Sequence, residues 1–296
     1  MERNLGRRLV AFFFLFSSFT SLFAQKEIKG FEAPESVLKT GNRIFVSNIG
    51  GQQPNPGAKD KNGFISELSA DGKVLKKKFQ KGVLNGPKGL AVMNHTIYVS
   101  DIDRVVGFDM NSGDQVFELS IPEATFLNDL CIAGDRMLAV TESTAGKVYL
   151  INVPGKSYRF AGSIPGANGV TYDKKSKQLF ACGMGAQNNG TGKLYVKDLN
   201  KQDTLFSELQ NSPAGIFDGI ELMDKDHLIV SDWISFNGDR GRLVVYDLRN
   251  HSNTLFPIES GPADIYFDQS SRRVFIPFLP KNKVVIQNLS SLKKEE

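Results

Sequence analysis

The stretch 217–248, FDGIELMDKDHLIVSDWISFNGDRGRLVVYDL, decides how this chain folds. It contains three short apolar runs, at residues 219–222, 227–232 and 242–248, with turn-forming residues between them. A fourth run, 253–259, follows before the next turn. The runs are rich in β-branched and aromatic residues, and no helical period extends over a dozen residues. The stretch therefore predicts a four-stranded sheet whose strands alternate in direction.

The same pattern occurs six times along the chain. Innermost strands are predicted at 36–38, 89–92, 129–132, 169–172, 219–222 and 264–267. Second strands are predicted at 43–48, 96–101, 136–142, 178–183, 227–232 and 273–278, and third strands at 63–68, 104–110, 147–152, 193–199, 242–248 and 283–289. Fourth strands follow at 74–80, 115–121, 157–164, 203–209 and 253–259. Units of about 45 residues match the blade of a β-propeller, so the chain is predicted to be an all-β, six-bladed propeller.

The sixth unit has no fourth strand of its own, because the chain ends in the polar tail 290–296. The segment 27–32, Glu-Ile-Lys-Gly-Phe-Glu, lies immediately before the first unit, where a fourth strand would belong. We expect this N-terminal segment to supply the outer strand of the last blade, which closes the ring and removes an exposed edge. A sandwich of two sheets is the structural alternative.

The first 24 residues differ from the rest of the chain. Arg3, Arg7 and Arg8 precede an apolar run at 9–16, and the small residue Ala24 ends the stretch. This arrangement is typical of a cleaved signal peptide, so we expect export to the periplasm or the medium, with 25–296 as one domain. An uncleaved anchor is the alternative. No other run reaches about 20 apolar residues, so no membrane span is predicted in the mature chain.

Composition and charge exclude several classes of protein. A hydrophobic fraction of 41% with 23% charged residues excludes a disordered chain, and two cysteines exclude a disulfide scaffold. The net charge of +4 falls to +2 without 1–24, because three Arg and one Glu leave with that segment. Since 76–78 is the only basic cluster, nucleic acid is a poor candidate partner. We expect a small-molecule ligand instead.

One residue stands at the start of each innermost strand. The six are Glu35, Lys88, Asn128, Asn168, Asp218 and Ala263. Because strands alternate in direction within a blade, all six positions are expected at one mouth of the central channel. Four of them offer a side-chain oxygen, with a formal charge of −2, and such a set suits a hard cation: Ca²⁺ first, then Mg²⁺ or Mn²⁺. The alternative is that the Asn-Gly and Asp-Gly pairs are ordinary turn residues.

These four positions also resemble a known family. The segments Pro34-Glu35-Ser36, Leu127-Asn128-Asp129, Ala167-Asn168-Gly169 and Phe217-Asp218-Gly219 look like the four metal-ligand motifs of the gluconolactonase and senescence marker protein (regucalcin) family. The resemblance covers residues 30–290. It implies a six-bladed propeller with a divalent cation at the channel mouth, and it implies a lactonase that depends on Ca²⁺ or Zn²⁺.

The chain departs from that family at two positions. The sugar-lactonase members carry an Arg two residues before the first metal-binding Asn, and this chain has Phe126 there. An apolar ring in place of a guanidinium puts a sugar-lactone substrate in doubt. The second departure is Lys88, which stands among the ligand positions. Its ammonium could anchor an anionic substrate, pair with Glu35, or oppose a cation by like-charge repulsion.

Other residues are expected around the same mouth. Three long loops join second to third strands, at 49–62, 184–192 and 233–241, and long loops on a rigid scaffold commonly carry binding residues. Trp233, the single Trp, begins one of them and either binds substrate or belongs to the core. Three acids end second strands at the same mouth: Glu142, Asp101 and Asp232. Each is a substrate contact, a supporting group or a turn former, and Glu142 is the strongest candidate for a substrate contact.

Other catalytic arrangements are weak in this sequence. His95 and His227 begin equivalent second strands, which places them at the end of the channel away from the ligand positions. Without a histidine at the mouth, a Ser-His-Asp triad is not expected. Cys131 and Cys182 occupy different offsets in adjacent units, so free thiols are expected rather than a disulfide.

The sequence therefore supports two hypotheses from different classes. The first is an exported hydrolase of a lactone or related ester, with one cation polarising the carbonyl and Asp218 or Glu35 helping to activate water. Its substrate would contact Phe126, Glu142, Lys88 and Trp233. The second is a propeller of the NHL-like kind that holds a ligand at the same mouth without turnover. The sequence does not define the oligomeric state.

Overall fold

The structure is a computed structural model that describes residues 25–201 and 205–295. These residues form 24 strands in six antiparallel sheets of four, with three short 3₁₀ helices at Ala186–Asn188, Leu279–Lys281 and Leu289–Ser291. The innermost strand of each sheet packs against the innermost strands of both neighbouring sheets, so the six sheets form a ring. The predicted all-β, six-bladed propeller is confirmed. The predicted signal peptide, 1–24, lies outside the described residues.

Each blade runs from the channel outward in four layers. The innermost strands are β2 (Pro34–Thr40), β6 (Pro87–Met93), β10 (Leu127–Gly134), β14 (Ala167–Asp173), β18 (Phe217–Asp224) and β22 (Tyr266–Asp268). The second strands are β3 (Arg43–Asn48), β7 (Thr96–Asp101), β11 (Met137–Glu142), β15 (Gln178–Gly183), β19 (His227–Asp232) and β23 (Arg273–Phe278). The third strands are β4 (Phe64–Ser69), β8 (Arg104–Asp109), β12 (Lys147–Asn152), β16 (Leu194–Asp198), β20 (Arg240–Asp247) and β24 (Lys283–Asn288). The outer strands are β5 (Val74–Lys76), β9 (Gln115–Ser120), β13 (Ser157–Ser163), β17 (Ser207–Glu208), β21 (Ser252–Glu259) and β1 (Gln25–Lys29).

The N-terminal strand closes the ring. Strand β1 pairs antiparallel with β24, in a register that places Gln25 opposite Gln287 and Lys29 opposite Lys283. The pairing is supported by the side chain of Ile28, which is buried against the junction of the last and first blades. The predicted closure is therefore confirmed, and it shields an edge of β24 that would otherwise offer unpaired backbone groups.

The core consists of six apolar clusters in the described residues, one at each junction between neighbouring blades. At the first junction the rings of Phe45 and Phe79 meet edge to face, 5.1 Å apart, and both pack against Ile97 and Phe108 of the next blade. Second strands read as nearly continuous apolar runs because both of their faces contact a neighbouring blade, as in RIFVSN of β3. No blade buries its faces alone, so the stability of each depends on the ring.

The strand bounds differ from the prediction mainly in two outer strands. The first outer strand was expected over 74–80 and covers only Val74–Lys76, because the Gln80 side chain accepts the Ile65 N–H at 2.9 Å and replaces the backbone ladder. The outer strand of the fourth blade is expected over 203–209, and in the described residues it covers Ser207–Glu208. The innermost strands begin two residues earlier than expected in the first five blades and two residues later in the sixth.

No helix in the described part of the chain is long and apolar enough to cross a membrane.

Deleting residues 25–31 removes β1 and the buried side chains of Ile28 and Phe31, and it exposes the edge of β24. We expect the melting temperature to fall by about 5 °C or more, since each kcal/mol lost corresponds to about 2–4 °C in a domain of this size. The matched control removes only 293–296 and should change the melting temperature by less than about 1 °C. An unchanged melting temperature after the N-terminal deletion, measured by calorimetry, would contradict the closure.

Candidate functional site

The four predicted ligand residues lie together with Lys88 at one mouth of the channel. Each is the second residue of its innermost strand, and the side chains are 1–5% exposed. The set is Glu35, Lys88, Asn128, Asn168 and Asp218. The pairing register shifts directly after each of these positions in all five blades, as at the step from Phe217 to Ile220. A β-bulge re-aims a side chain, so a bulge repeated in every one of these strands turns the five side chains toward one point.

The alternative that Asn-Gly and Asp-Gly are ordinary turns is wrong for this chain. Gly169 and Gly219 lie inside β14 and β18, and neither has the positive φ that such turns require. Glycine is needed for space instead. A Cβ on Gly169 would stand 2.4 Å from the Asp218 carbonyl oxygen, and one on Gly219 would stand 2.4 Å from the Ile265 nitrogen. The backbones of neighbouring blades therefore meet directly behind the site residues.

A hydrogen bond from the preceding blade fixes the backbone of most site residues. The donor is a small side chain in the penultimate position of a second strand, and the acceptor is the carbonyl of the mouth residue in the next blade. The pairs are Ser100 with Asn128, Thr141 with Asn168, Cys182 with Asp218 at 3.3 Å, and Ser231 with Ala263 at 2.8 Å. Between the last and first blades, the Asp264 N–H donates to the Glu35 carbonyl at 2.9 Å. Two blades thus position each of four site residues: Glu35, Asn128, Asn168 and Asp218.

Four oxygen atoms at this mouth are buried and have no hydrogen-bond partner within the described protein. They are Glu35 Oε2, Asn128 Oδ1, Asn168 Oδ1 and Asp218 Oδ1, one from each predicted metal ligand. Buried polar atoms are nearly always paired, so four unpaired oxygens at one mouth call for a partner, either a cation or the hydrogen-bond donors of a ligand or water. No three His, Cys, Asp or Glu side chains gather as a metal-ligating group in the described residues, so the available set is two carboxylates and two amides.

In two of these side chains, Asp218 and Asn128, the other polar atom is held by the protein, whereas the Asn168 amide nitrogen is also buried without a partner in the described residues. The Asp218 Oδ2 accepts the indole N–H of Trp233 at 2.7 Å, and the Asn128 amide nitrogen donates to Ser143 Oγ at 3.0 Å. Ser143 in turn donates to the Ala167 carbonyl at 2.7 Å. Asp218 therefore turns one carboxylate oxygen, and Asn128 its amide nitrogen, to a fixed protein partner, and each leaves its remaining oxygen unpaired at the mouth. That arrangement fits a hard cation, which takes oxygen ligands.

The electrostatics at the mouth oppose ionisation of both carboxyl groups. Burial raises the pKa of Asp218 to about 7, although the Trp233 N–H and the nearby Asn168 amide favour its charged form. Burial raises the pKa of Glu35 as well, and the charges of Asp218 and Asp264 add to that effect. Two buried carboxylates that face each other are stable only with protons or with a cation between them.

Carboxyl groups continue down the channel from the mouth. Asp129 accepts the Val170 N–H at 2.7 Å, Asp264 accepts the Ser36 hydroxyl at 2.5 Å, and Glu221 lies beside them near the opposite opening. Burial is the first cause of a raised pKa in all three, and it brings that of Glu221 to about 8. These acids follow the site residues in the sequence, but we did not predict a role for them.

The mouth opens into a cavity of about 890 Å³. Its floor carries Glu35, Asn128 and Asp218, and much of its wall is apolar: Phe126, Ile164, Pro165, Met184, Trp233, Phe236 and Leu279. All three long loops contribute, through Pro56, through 184–188 and through Trp233 with Phe236. The predicted position of these loops is therefore correct. Trp233 lines the cavity half-buried, its ring 5.3 Å from that of Phe236, rather than lying in the core.

Lys88 does not pair with Glu35. Its Nζ donates to the carbonyls of Pro56 at 2.8 Å and Gly86 at 3.0 Å, and it lies 4.1 Å from the centre of the Phe126 ring. Burial lowers the pKa of Lys88 to about 8, while the charges of Glu35 and Asp101 act in the opposite direction. The ammonium thus fixes Phe126 and the first long loop at the rim.

Glu142 lies behind the cavity wall and does not line the cavity. It is 1% exposed, and its Oε1 accepts the N–H groups of Thr125 at 3.3 Å and Phe126 at 3.1 Å. The equivalent acids Asp101 and Asp232 do the same in their blades, accepting the N–H groups of Gly86 at 2.9 Å and Ile216 at 3.0 Å. These acids are therefore positioning residues that hold the backbone just before each site residue.

Several expectations about other residues also receive an answer. His95, His227 and His251 all lie in the described ranges, and none lines the cavity. Both cysteines, Cys131 and Cys182, are free thiols. The Cys182 thiol donates to the Asp218 carbonyl, as the hydroxyl groups at the equivalent positions of other blades do. The short connections 143–146 and 163–166 also line the cavity, and the sequence pattern does not predict them there. Their only signal was the polar Ser143 directly after Glu142.

Glu221→Gln tests the cost of the buried channel acids. The folded-state pKa of Glu221 is about 8 against 4.5 for a free side chain. Between these two pH values the unfolded chain loses the proton and the folded chain keeps it, so the stability of the fold decreases as pH rises from about 4.5 to about 8. We expect the variant to gain at least about 3 °C in melting temperature relative to wild type between pH 5 and pH 9. Exposed Glu208→Gln is the control. Parallel pH profiles of melting temperature for Glu221→Gln and wild type would contradict the assignment.

Comparison with known proteins identifies the fold of this chain and no family. No protein-family model and no curated protein matches the chain. Among solved structures, virginiamycin B lyase from Staphylococcus aureus has a TM-score of 0.61 at 14% identity, over 90% of this chain and 99% of that one. The PQQ domain of pyranose dehydrogenase from Coprinopsis cinerea has a TM-score of 0.61 at 11% identity, over 89% and 95%. U3-55K has a TM-score of 0.60 at 12% identity, over 90% and 98%. At these identities the chain shares with them a β-propeller fold alone.

Proposed function

We propose that this protein is a cation-dependent hydrolase of a lactone or related carboxylic ester, with its site at the channel mouth. The observation that carries the proposal is the set of four buried oxygens without a partner on Glu35, Asn128, Asn168 and Asp218. The motifs around them resemble those of the gluconolactonase and regucalcin family, which adds support. We further propose that the protein acts after export, in the periplasm or outside the cell, with 1–24 as its signal peptide.

The residues of the site divide the work of hydrolysis. Glu35, Asn128, Asn168 and Asp218 would hold Ca²⁺, or alternatively Zn²⁺, Mg²⁺ or Mn²⁺. When bound, such a cation supplies polarisation of the ester carbonyl and stabilisation of the developing oxyanion. Asp218 or Glu35 takes the proton of the attacking water, and the Trp233 N–H holds Asp218 in position for that step.

The wall of the cavity favours an apolar arm on the substrate. Phe126 stands where the sugar-lactonases carry Arg, and its ring is joined by Met184, Trp233 and Phe236 along the same cavity. A polyhydroxy lactone would lose hydrogen bonds to water at these apolar surfaces without regaining them. The alternative of a propeller that binds a ligand without turnover uses the same cavity, and it predicts cation and ligand binding with no hydrolysis.

We expect the chelator-stripped protein to bind one divalent cation, because the four unpaired oxygens form one set. Ca²⁺ is the first cation to test. Stability should rise by about 2.7 kcal/mol at a hundredfold excess over the dissociation constant. Trp233 is the single Trp and its N–H contacts Asp218, so the intrinsic fluorescence should change on binding. Calorimetry and fluorescence measure both effects. The variant Asp218→Asn should weaken cation binding. Its control is Asp239→Asn, which changes an exposed side chain in the loop that contains Trp233.

Absence of heat and of a fluorescence change with Ca²⁺, Mg²⁺, Mn²⁺ and Zn²⁺ alike would overturn the cation site.

The second prediction concerns turnover and substrate choice. Asp218→Asn keeps an oxygen ligand but removes a charge and a proton acceptor, so kcat should fall by at least about a hundredfold with the fold intact. Wild type should prefer an alkyl-substituted lactone such as dodecalactone over gluconolactone by roughly a hundredfold in kcat/KM. Steady-state hydrolysis with and without chelator measures both. Equal rates for wild type and Asp218→Asn, or a preference for gluconolactone, would show that the site has been misassigned.

A further inference from the structure

Lys88 is the single positively charged side chain among the residues that line the cavity, all of which belong to the described part of the chain. It is 1% exposed, and its two hydrogen-bond acceptors, the carbonyls of Pro56 and Gly86, carry no charge. An ammonium group has three N–H donors, and the third has no hydrogen-bond acceptor in the described residues, only the face of the Phe126 ring 4.1 Å away. A buried cation without an anionic partner is costly, and it therefore marks a place where an anion would be stabilised.

The charges that line the cavity define the charge of that ligand. The ionisable lining residues are Glu35, Asp218 and Lys88. A divalent cation on the first two cancels their combined charge of −2, and the charge of Lys88 is then left over. A ligand with a single negative charge completes neutrality, whereas a dianion such as a phosphate monoester leaves an excess of negative charge in a desolvated site.

We propose that the cation-loaded cavity is a receptor for a monoanionic carboxylate on an apolar arm, with the carboxylate on the third N–H of Lys88 and the arm along Phe126 and Trp233. This inference rests on the proposed function, because the charge count includes the bound cation. It deepens that function, since the hydroxycarboxylate formed by hydrolysis of a lactone belongs to this class of ligand. The product, or a substrate that already carries a carboxylate, would be held at Lys88.

The test compares three probes that share one benzyl arm: phenylacetate, phenylacetamide and benzyl phosphate. Calorimetry is carried out on the full mature protein loaded with Ca²⁺ and, separately, with chelator. We expect phenylacetate to bind at least about tenfold more tightly than either of the other probes, as a charge-assisted hydrogen bond to a buried ammonium implies. The preference should weaken in chelator, because the positive charge of the cation is then missing and any ionised fraction of Asp218 and Glu35 opposes the carboxylate.

Two variants locate the effect. Lys88→Met keeps the length of the side chain without its charge and should abolish the preference for phenylacetate over phenylacetamide. Lys59→Met removes an exposed charge from the neighbouring loop and should leave the preference unchanged. The comparison of probes on wild type stands by itself if Lys88→Met fails to fold, which circular dichroism would reveal.

The outcomes separate this inference from the proposed function. Equal binding of phenylacetate and phenylacetamide to loaded wild type overturns the inference, even if lactones are hydrolysed. Tighter Ca²⁺ binding by Lys88→Met, with no carboxylate preference in wild type, would mean that Lys88 merely opposes the cation. Carboxylate preference without hydrolysis of any lactone overturns the hydrolase and supports the carboxylate receptor. Tighter binding of benzyl phosphate overturns the assignment of a monoanion.

Discussion

The hydrogen bond from one blade to the carbonyl of the next blade's mouth residue is the interaction on which the rest of the site depends. Ser100, Thr141, Cys182 and Ser231 supply it, each from the penultimate position of a second strand. Because donor and acceptor belong to different blades, a site residue keeps its place only while the whole ring is intact. The strand β1 at the last blade therefore supports the geometry of the mouth as well as the fold.

The close approach of blades has a second consequence, which is the concentration of acids along the axis. Glu35, Asp218, Asp129, Asp264 and Glu221 all lie in the channel, and their pKa values are raised chiefly by burial. Lys88 is the one ammonium among the residues lining the mouth. So many carboxyl groups in a desolvated space remain protonated or attract a cation. Charge compensation, more than any single contact, is what makes a cation site at this mouth physically reasonable.

The two faces of the cavity derive from different parts of the blade. The polar floor comes from the bulges of the innermost strands, which rigid pairing holds in place. The apolar wall comes from loops, and acids at the ends of second strands hold the residues that enter it, as Glu142 does for Phe126. The proposed ligand set and the proposed substrate contacts therefore lie on different structural elements, the strands and the loops.

The sequence by itself determined the repeat, the number of blades, the closure and the four oxygen donors, because each depends on periodicity and on residue type at a repeated offset. It could not determine the partners of those donors. That Lys88 contacts Pro56 and Phe126 rather than Glu35, that Glu142 faces the backbone, and that Trp233 bonds Asp218 all depend on side-chain directions between blades and loops distant in sequence. The clustering of the channel acids could not be predicted for the same reason, because residues from different blades become neighbours only when the ring closes. Only the tertiary structure decides such contacts, because a local pattern fixes which face a side chain occupies and not which distant group lies opposite it.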